Sequence, residues 1–244
     1  MELQYVAGRN PVLEVLKANR EVEKIFVLKG DLQGSINKII GIAKERNIVI
    51  QEVDKKKLDS LAKGLAHQGV VALISSYEYA TVDDIFNKAK DKDESPFIVI
   101  LDGIEDPHNL GAIIRTAECA GVHGIIIPKR RSAQVNETVY KASAGAVEHV
   151  LVAKVNNINN AIDDLKDKGM WLYGADMDGD LHFNTSLKGA VALVIGNEGK
   201  GISRLTKEKC DVLVRIAMVG KISSLNASNA AAILMYEVVR QNYG

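Results

Sequence analysis

The sequence predicts an α/β protein in which a small α/β/α domain precedes a larger domain with a mainly parallel sheet. Apolar runs of five residues, such as 97–101 and 191–195, suit buried strands and alternate with stretches of helical periodicity. Short strands separated by helices favour a parallel sheet covered on both faces. A chain of 244 residues, 47% of them hydrophobic, is large enough for two such domains.

The first segment, residues 1–76, shows alternating helix and strand signals. Pro11 follows Asn10 and suits the first turn of a short helix. Asp54 is suited to cap a helix that ends near Gly64. The other predicted elements are a helix over 35–46 and strands at 24–28, 48–53 and 70–74. Together they are sufficient for a compact α/β/α domain of about 76 residues.

Residues 77–96 differ in composition and mark the predicted domain boundary. A short amphipathic helix is followed there by the charged stretch 90–94 and by Pro96, a pattern typical of a linker. The second segment covers residues 97–244. It is predicted to form strands at 97–101, 123–127, 149–153, 170–175, 191–195 and 211–216, and helices near 109–120, 136–141, 156–168 and 225–241.

Composition excludes several classes of protein. No run approaches the roughly 20 apolar residues of a membrane span. The first five residues lack the basic start and apolar core of an export signal, so we expect a cytoplasmic protein. Cys119 and Cys210 lie far apart and are expected to be reduced, buried thiols. Scattered histidines without ligand spacing predict no metal site.

The charge distribution bears on a nucleic-acid partner. The net charge is zero, which argues against a uniformly basic surface. Residues 1–76 nevertheless carry 12 Lys/Arg against 9 Asp/Glu, whereas residues 77–96 carry 3 against 6. A polyanion would therefore meet local basic patches. Lys129-Arg130-Arg131 is one candidate patch, and a solvated loop is the alternative interpretation.

Glycine, amide and basic residues concentrate in three stretches, which are 109–115, 195–201 and 223–229. The first two follow apolar runs, so each lies where a buried strand ends. In α/β proteins this is the usual place for a ligand site. Glycines and amides at these spacings suit a site that holds a polar ligand with backbone groups.

Two common nucleotide sites do not fit these stretches. The first strand of the second segment is followed by Asp102-Gly103-Ile104-Glu105-Asp106, which lacks the dinucleotide fingerprint GxGxxG. Residues 196–201 have the different spacing GxxGxG. A phosphate-binding P-loop needs Ser or Thr after its lysine, but Lys200 is followed by Gly201. Because residues 102–106 are not glycine-rich, a methyltransferase site of the glycine-rich type after the first strand is also excluded.

The three stretches together resemble the three motifs of the SpoU (TrmH-type) RNA 2′-O-ribose methyltransferases. The matching sequences are Asn-Leu-Gly-Ala-Ile-Ile-Arg-Thr-Ala at 109–117, Ile-Gly-Asn-Glu-Gly-Lys-Gly at 195–201 and Ser-Ser-Leu-Asn-Ala-Ser-Asn-Ala at 223–230. Residues 8–12 and 67–70 are similar to the ribosomal-protein-like RNA-binding extension of one branch, which includes an enzyme for a guanosine in large-subunit ribosomal RNA. The resemblance implies a deep trefoil knot, S-adenosylmethionine bound in a bent form, and a homodimer with its active site near the interface.

The resemblance also implies roles for five catalytic candidates. Arg115 would act on the ribose 2′-hydroxyl, but a guanidinium with a pKa above about 12 is a poor base. We therefore expect Arg115 to clamp the adjacent phosphate; a surface pair with Glu118 is the alternative. Asn109 would be a substrate-side or interface amide, or only a helix N-cap. Glu198 would shape its loop or hold Arg115 or the ribose. Ser224 and Asn226 would position the target nucleotide, although one of them could cap the last helix.

The resemblance further implies that the cofactor-binding residues are Gly196, Asn197, Ile216, Met218 and Leu225. Backbone groups in these loops would contact the adenine, with apolar side chains against its faces. The sequence departs from the family at one position, where Ala217 replaces the proline of the usual Ile-Pro-Met. Proline would restrict the backbone of this loop, so we expect slightly weaker cofactor binding without loss of function.

The expected RNA-binding residues are Arg9, His67 and Gln68 in the first segment and Lys129 and Arg130 in the second. His67 could instead only stabilise a buried turn. The sequence thus predicts S-adenosylmethionine-dependent methylation of large-subunit ribosomal RNA by a homodimer. Three alternatives remain open: methylation of transfer RNA, methylation of a resistance site in ribosomal RNA, and a non-catalytic RNA-binding factor.

Overall fold

The computed structural model describes residues 3–18, 20, 22–30, 34–75 and 77–243. Their elements follow one another in this order: β1 Leu3–Ala7, α1 Arg9–Lys17, β2 Val22–Leu28, α2 Ser35–Glu45, β3 Val49–Val53, α3 Lys55–Ala62, β4 Val70–Ser75, α4 Val82–Asp91, β5 Phe97–Asp102, α5 Pro107–Cys119, β6 Gly124–Pro128, α6 Glu137–Ala142, β7 Leu151–Val155, α7 Ile158–Asp167, β8 Trp171–Leu181, β9 Val191–Gly196, α8 Arg204–Lys209, β10 Val212–Arg215 and α9 Ala227–Tyr243. The predicted α/β class is confirmed.

The chain forms two compact units. The first contains the described residues up to Glu78 together with Val135–His149, and the second contains Tyr79–Gln134 and the residues from Val150 onward. The chain therefore crosses between the units at three points. Each unit is built around its own sheet.

The first unit has a four-stranded sheet in the order β1-β4-β2-β3. Strands β1 and β2 run antiparallel to β4, and β3 runs parallel to β2. The predicted strands β2, β3 and β4 and helices α1, α2 and α3 are confirmed within two residues at most ends. Strand β1 was not predicted from the sequence. The predicted cap of α3 is also present, since the Asp54 carboxylate accepts a hydrogen bond from the backbone N–H of Lys57 at 2.8 Å.

Alternation along the strands divides the first sheet into two apolar faces. Ala7, Phe26 and Val71 form one cluster with Leu58 and Leu61 of α3. Val6 and Ile25 occupy the alternate positions, which point to the opposite face, and both are fully buried. Helices α1 and α2 contact the sheet outside the first cluster, so helices cover both faces. The predicted α/β/α arrangement of this unit is confirmed.

The segment Val135–His149 folds with the first unit although it is distant in sequence. His149 Nε2 lies 2.8 Å from Glu14 Oε2, and Lys63 Nζ lies 3.1 Å from Glu137 Oε1. Lys141 donates to the carbonyl of Ala66 at 2.8 Å. These polar contacts hold α6 and the short 3₁₀ turn that follows it against the unit.

The second unit has a six-stranded sheet in the order β10-β8-β9-β5-β6-β7, and every neighbouring pair is parallel. The prediction of a mainly parallel sheet is therefore confirmed. The central strand β5 is buried along its first five residues, as expected for a strand with helices on both sides. Strand β8 extends beyond the predicted end near 175. Its register against β10 jumps from Gly174 to Asp180, so residues 175–179 loop out of the sheet.

Helix α4 lies within the stretch predicted as a linker, and it packs into the core of the second unit. Thr81 and Asp84 form a capping box at its start. Ile85 is fully buried, and a Cβ on Gly124 would lie 2.4 Å from its side chain, so α4 lies directly against β6. The helix is thus an integral part of the second unit.

The two cysteines differ in exposure. Cys119 is exposed, so the expectation that both thiols are buried is wrong for this residue; it lies in the last turn of α5, outside that helix's buried face. Burial raises the pKa of Cys210 to about 12. Among the described residues, no helix is both long and apolar enough to cross a membrane.

Candidate active site at the carboxyl ends of the parallel strands

Three loops of the second unit surround a cavity of about 350 Å³, which we call the loop cavity. One loop follows β9, a second follows β10, and the third consists of the residues looped out of β8. Apolar side chains of α9 close one side. The lining residues are Ala175–Met177, Ile195–Gly201, Val214–Ile216, Met218, Ser223–Leu225, Ala227, Ala230 and Leu234. A volume of this size is within the range of small-molecule sites.

The loop after β9 is tightly closed on itself. The backbones of Asn197 and Gly201 exchange two hydrogen bonds, at 3.1 and 2.7 Å. Gly196 precedes this pair, and a Cβ on Gly196 would lie 2.1 Å from the carbonyl carbon of Gly201. Only glycine fits there. Gly201 has φ +65°, a conformation that glycine adopts at low cost.

Side chains attach this loop to the end of β5. Asn197 donates from Nδ2 to the carbonyl of Gly103 at 3.0 Å. The backbone N–H of Ser203 donates to Asp102 Oδ2 at 2.8 Å. The loop is therefore fixed at both ends by contacts within the protein, and it forms one wall of the loop cavity.

Glu198 joins the three sequence motifs. Its Oε1 accepts hydrogen bonds from Nδ2 of Asn109 at 2.9 Å, from Nδ2 of Asn226, and from the backbone N–H of Ala227 at 3.2 Å. Asn226 Nδ2 also donates to Asn109 Oδ1 at 2.9 Å. A carboxylate that accepts from the first turn of α9 also suits the positive end of that helix.

Asn226 has a second structural role, because its Oδ1 accepts from the backbone N–H of Ser228 at 2.9 Å and caps α9. Asn109 is not a helix cap. Helix α5 is capped by Asp106, which accepts from the backbone N–H of His108 at 2.9 Å, so that alternative for Asn109 is wrong.

The predicted cofactor-binding residues come together. Gly196, Asn197, Ile216, Met218 and Leu225 all line the loop cavity. Two catalytic candidates, Glu198 and Ser224, line it as well. Asn109 and Asn226 do not line it but are hydrogen-bonded to Glu198.

Arg115 lies elsewhere on α5. It is on the exposed side of that helix and is not part of the lining of the loop cavity. Among the residues that the structure describes, it has no ion-pair or hydrogen-bond partner, so the alternative of a surface pair with Glu118 is not supported. Its guanidinium is available to a ligand.

The predicted RNA-binding residues fall into two groups. In the first unit, Arg9 donates from Nε to the carbonyl of Gln68 at 2.9 Å, and Gln68 Oε1 accepts from the Arg9 N–H at 3.1 Å. His67 Nδ1 accepts from the backbone N–H of Gly69 at 2.9 Å and so stabilises this turn. In the second unit, Arg130 lines a separate cleft, whereas Lys129 is not part of its lining.

The residues that β8 contributes to the loop cavity were not predicted from the sequence. Asp176 lies in the looped-out segment and contacts Lys207 Nζ at 2.8 Å, and Asp178 contacts the same Nζ at 2.7 Å. Lys207 lowers the pKa of the Asp178 carboxyl, and the pKa of the ammonium is raised in turn, chiefly by its hydrogen bond to Asp176. The run Asp-Met-Asp-Gly-Asp at 176–180 is a signal for a loop, although it does not indicate a cavity.

The loop cavity combines apolar side chains with backbone groups outside regular secondary structure. Ile216, Met218 and Leu225 offer contacts for a flat apolar ring, and the closely spaced glycines allow the backbone to approach a ligand. An adenosine-like ligand fits this chemistry. The amides and carboxylate at its edge can position a second, polar substrate.

The family relationship agrees with this site. Residues 96–236 match the SpoU rRNA Methylase family, and residues 5–80 match the domain described as RNA 2′-O ribose methyltransferase substrate binding. The chain therefore belongs to the SpoU family of RNA methylases, with an N-terminal substrate-binding domain followed by a catalytic domain. It is an S-adenosylmethionine-dependent RNA 2′-O-ribose methyltransferase, which confirms the resemblance seen in the motifs.

Individual relatives extend over almost the whole chain. YacO of Bacillus subtilis (strain 168), whose name assigns it to the TrmH family of tRNA/rRNA methyltransferases, is 49% identical over 97% of this chain and 95% of its own length. The SpoU methyltransferase AviRb from Streptomyces viridochromogenes, solved with AdoMet, is 26% identical, with a TM-score of 0.81 over 98% of this chain and 90% of its own. A solved RNA 2′-O ribose methyltransferase is 25% identical, with a TM-score of 0.77 over 98% and 88%.

Proposed function

We propose that this protein methylates the ribose 2′-hydroxyl of one nucleotide, a guanosine, in large-subunit ribosomal RNA. The observation that carries the proposal is the Asn109–Glu198–Asn226 network at the edge of the loop cavity. It brings the three motifs together where a bound methyl donor and a ribose would meet. The ribosomal target is supported by the description of the family that residues 96–236 match and by the substrate-binding domain at 5–80.

We propose that the first unit, with Val135–His149, binds RNA, and that the second unit, with Tyr79–Gln134 and the residues from Val150 onward, is catalytic. The expected linker at 77–96 is not retained, because α4 packs into the second unit. Within the catalytic domain, the loop cavity would hold S-adenosylmethionine. Backbone groups around Gly196 and Asn197 would contact the adenine, and Ile216, Met218 and Leu225 would pack against its faces. When bound, S-adenosylmethionine supplies an electrophilic methyl group on its sulfonium. The fit is supported by the cavity's apolar lining, its volume of about 350 Å³ and the close backbone packing at Gly196.

Arg115 would bind the phosphate next to the acceptor ribose. Its guanidinium keeps its proton at neutral pH, so it acts as a two-pronged hydrogen-bond donor that orients the hydroxyl, and a phosphate oxygen accepts the hydroxyl proton. The exposed, unpaired position of Arg115 among the described residues supports this role. A lysine cannot reproduce the two-pronged contact. Arg115→Lys should therefore lower kcat strongly, and near-normal turnover would contradict the clamp.

The remaining candidates would position the acceptor. Glu198 would hold the loop after β9 against α5 and α9, and the amide of Asn109 would complete that contact. Ser224 and Asn226 would face the target nucleotide. Because Asn226 also caps α9, its loss should affect both stability and turnover, whereas the loss of Ser224 should affect turnover alone.

We propose a homodimer with a knotted catalytic domain. The dimer is supported by exposed apolar side chains on α9, where Ile233 and Tyr236 lie three residues apart on one face. The knot is supported by two contacts with the loop after β9: residues that follow β10 line the loop cavity together with it, and the backbone N–H of Ala227 at the start of α9 donates to Glu198 within it. A cytoplasmic location follows from the proposed RNA substrate.

Transfer RNA is the second candidate substrate, because YacO's name includes both tRNA and rRNA. The test incubates the protein with labelled S-adenosylmethionine and, separately, unmodified large-subunit ribosomal RNA and unmodified transfer RNA. Label mapped to one ribose of the ribosomal RNA is the expected result. Label on transfer RNA alone would contradict the proposed target. No transfer to either RNA together with no cofactor binding would favour a non-catalytic RNA-binding factor.

A further inference from the structure

A second cavity of the catalytic unit, the polar cleft, opens where β5, β6 and β7 end. Its volume is about 520 Å³. Residues that follow these strands form its walls together with the loop after β9, and they include Arg130, Arg131, Asn156 and Lys200. Most of its other lining residues are also polar. The cleft therefore presents more charged and amide side chains than the loop cavity does.

The cations of the polar cleft are available to a ligand. Among the described residues, Arg130, Arg131 and Lys200 have no ion-pair or hydrogen-bond partner. Lysines elsewhere in the same unit do have partners, as when Lys166 lies 2.7 Å from Asp211 and Lys168 2.8 Å from Asp83. The cleft's two carboxylates do not neutralise its three cations. Of these carboxylates, Asp102 already accepts the backbone N–H of Ser203.

The turn that carries the two arginines is held in place. Ser132 Oγ donates to the carbonyl of Pro128 at 2.6 Å, and Gln134 Nε2 donates to Ser132 Oγ at 2.9 Å. Arg131 itself has φ +56°, which is uncommon for a residue other than glycine. A turn that is fixed in this way presents its charged side chains from a constant backbone position.

The polar cleft and the loop cavity share a wall. Asn197, Lys200 and Gly201 line both. A nucleotide strand with its acceptor ribose at the loop cavity would therefore place neighbouring nucleotides over Lys200 and into the cleft. Guanidinium groups bind phosphate oxygens in pairs, and exposed amides recognise the edges of unpaired bases.

We infer that the polar cleft binds the RNA backbone beside the acceptor nucleotide. Arg130 and Arg131 contact phosphates, Lys200 spans the boundary with the loop cavity, and the amide of Asn156 contacts a base edge. The inference rests on the proposed function, since it requires an RNA substrate. The alternative ligand is a small anion, such as the carboxylate of the methyl donor reaching Lys200.

The experiment measures RNA affinity as a function of salt, using the full-length protein and unmodified large-subunit ribosomal RNA. The test variant is Arg130→Ala/Arg131→Ala. The matched control is Lys90→Ala/Lys188→Ala, which removes two exposed charges from the same unit outside the cleft. Each contact with a single-stranded phosphate contributes about 0.7 to the slope of log affinity against log salt. The test variant should lower that slope by about 1.4 and weaken binding about 20-fold at ~0.1 M salt.

Cofactor affinity, measured by calorimetry with S-adenosylmethionine alone, should be unchanged in the test variant. A slope equal to that of the control variant would overturn the inference. Weaker cofactor binding with an unchanged RNA slope would also overturn it and would assign the cleft to a small anion. The salt slope is measured without turnover, so it does not depend on methyl transfer. The proposed function is contradicted by a different result, namely that the wild-type protein transfers methyl groups to no RNA.

Discussion

Replacing Gly196 with alanine would place a methyl group where the backbone of the loop after β9 already lies. The added Cβ would be 2.1 Å from the carbonyl carbon of Gly201 and 2.3 Å from the backbone nitrogen of Ile202. Ordinary contacts between such atoms are about 3.5–4.0 Å. The obstacle is backbone, which cannot rotate away as the end of a side chain can. The segment at Gly201 would have to move by roughly 1.5 Å.

A shift of this size exceeds what the loop's hydrogen bonds tolerate. The two bonds between Asn197 and Gly201, at 3.1 and 2.7 Å, would break or lengthen, at about 0.5–1.5 kcal/mol each. Overpacking itself costs about 1–3 kcal/mol. We therefore expect Gly196→Ala to lower the free energy of unfolding by about 2–4 kcal/mol and Tm by on the order of 5–15 °C. S-adenosylmethionine affinity should fall at least about tenfold, because the loop lines its cavity.

Gly199→Ala is the matched control. A Cβ on Gly199 would lie 3.6 Å from Asn197 Oδ1, an ordinary contact, in the same loop. Thermal melts and calorimetry with S-adenosylmethionine would compare the two variants. We expect the Gly199 variant to resemble wild type. Equal stability and equal cofactor affinity in the two variants would refute the argument that the close backbone approach at Gly196 shapes the site.

Three further predictions follow from single residues. Glu198→Ala should lower the free energy of unfolding in urea by about 1–2 kcal/mol, because three donors lose their acceptor. Glu198→Gln keeps an acceptor oxygen and should lose less stability, and equal losses in the two variants would contradict this. Ala217→Pro should raise stability by about 0.5–1 kcal/mol and tighten S-adenosylmethionine binding slightly, and no change in either would contradict our account of Ala217. Burial lowers the pKa of His123, although Glu94 acts in the opposite direction. As the pH falls below about 6.5, the unfolded chain therefore binds a proton at this histidine before the folded protein does. Wild type should then lose stability by at most about 1.4 kcal/mol per pH unit, and an equal pH dependence in His123→Asn would contradict this.

The parallel sheet could be predicted because buried strands have a distinctive composition. Strands β5 and β9 are continuous apolar runs, since helices cover both faces of the sheet. The end of β8 could not be predicted in this way. Its residues 174–181 are rich in Gly and Asp, and they extend the strand only because Val214 and Arg215 of β10 pair with Asp180 and Leu181. Tertiary pairing there overrides local propensity.

The packing of residues 135–149 in the first unit also could not be predicted from the sequence. Its apolar residues Val139 and Tyr140 indicate a buried face, but the same pattern would suit packing on either unit. Close approach of Gly145, with φ +90°, to the side chain of Glu14 helps to define its place in the first unit. Such a contact joins residues distant in sequence and has no local signature.

The candidate site was predictable to the extent that it rests on motifs. All five expected cofactor residues line the loop cavity, because they follow parallel strands whose carboxyl ends meet at one edge. The hydrogen bonds from Asn109 and Asn226 to Glu198 could not be foreseen, since they depend on how α5 and α9 begin. The role of Arg115 stays a prediction.

Methyl transfer to a ribose hydroxyl can be detected directly by nucleoside mass spectrometry. The protein is incubated with methyl-deuterated S-adenosylmethionine and unmodified large-subunit ribosomal RNA, which is then digested to nucleosides and fragmented. We expect the deuterated methyl group on the ribose fragment of one nucleoside, guanosine. A deuterated methyl group on a base, with none on any ribose, would contradict it.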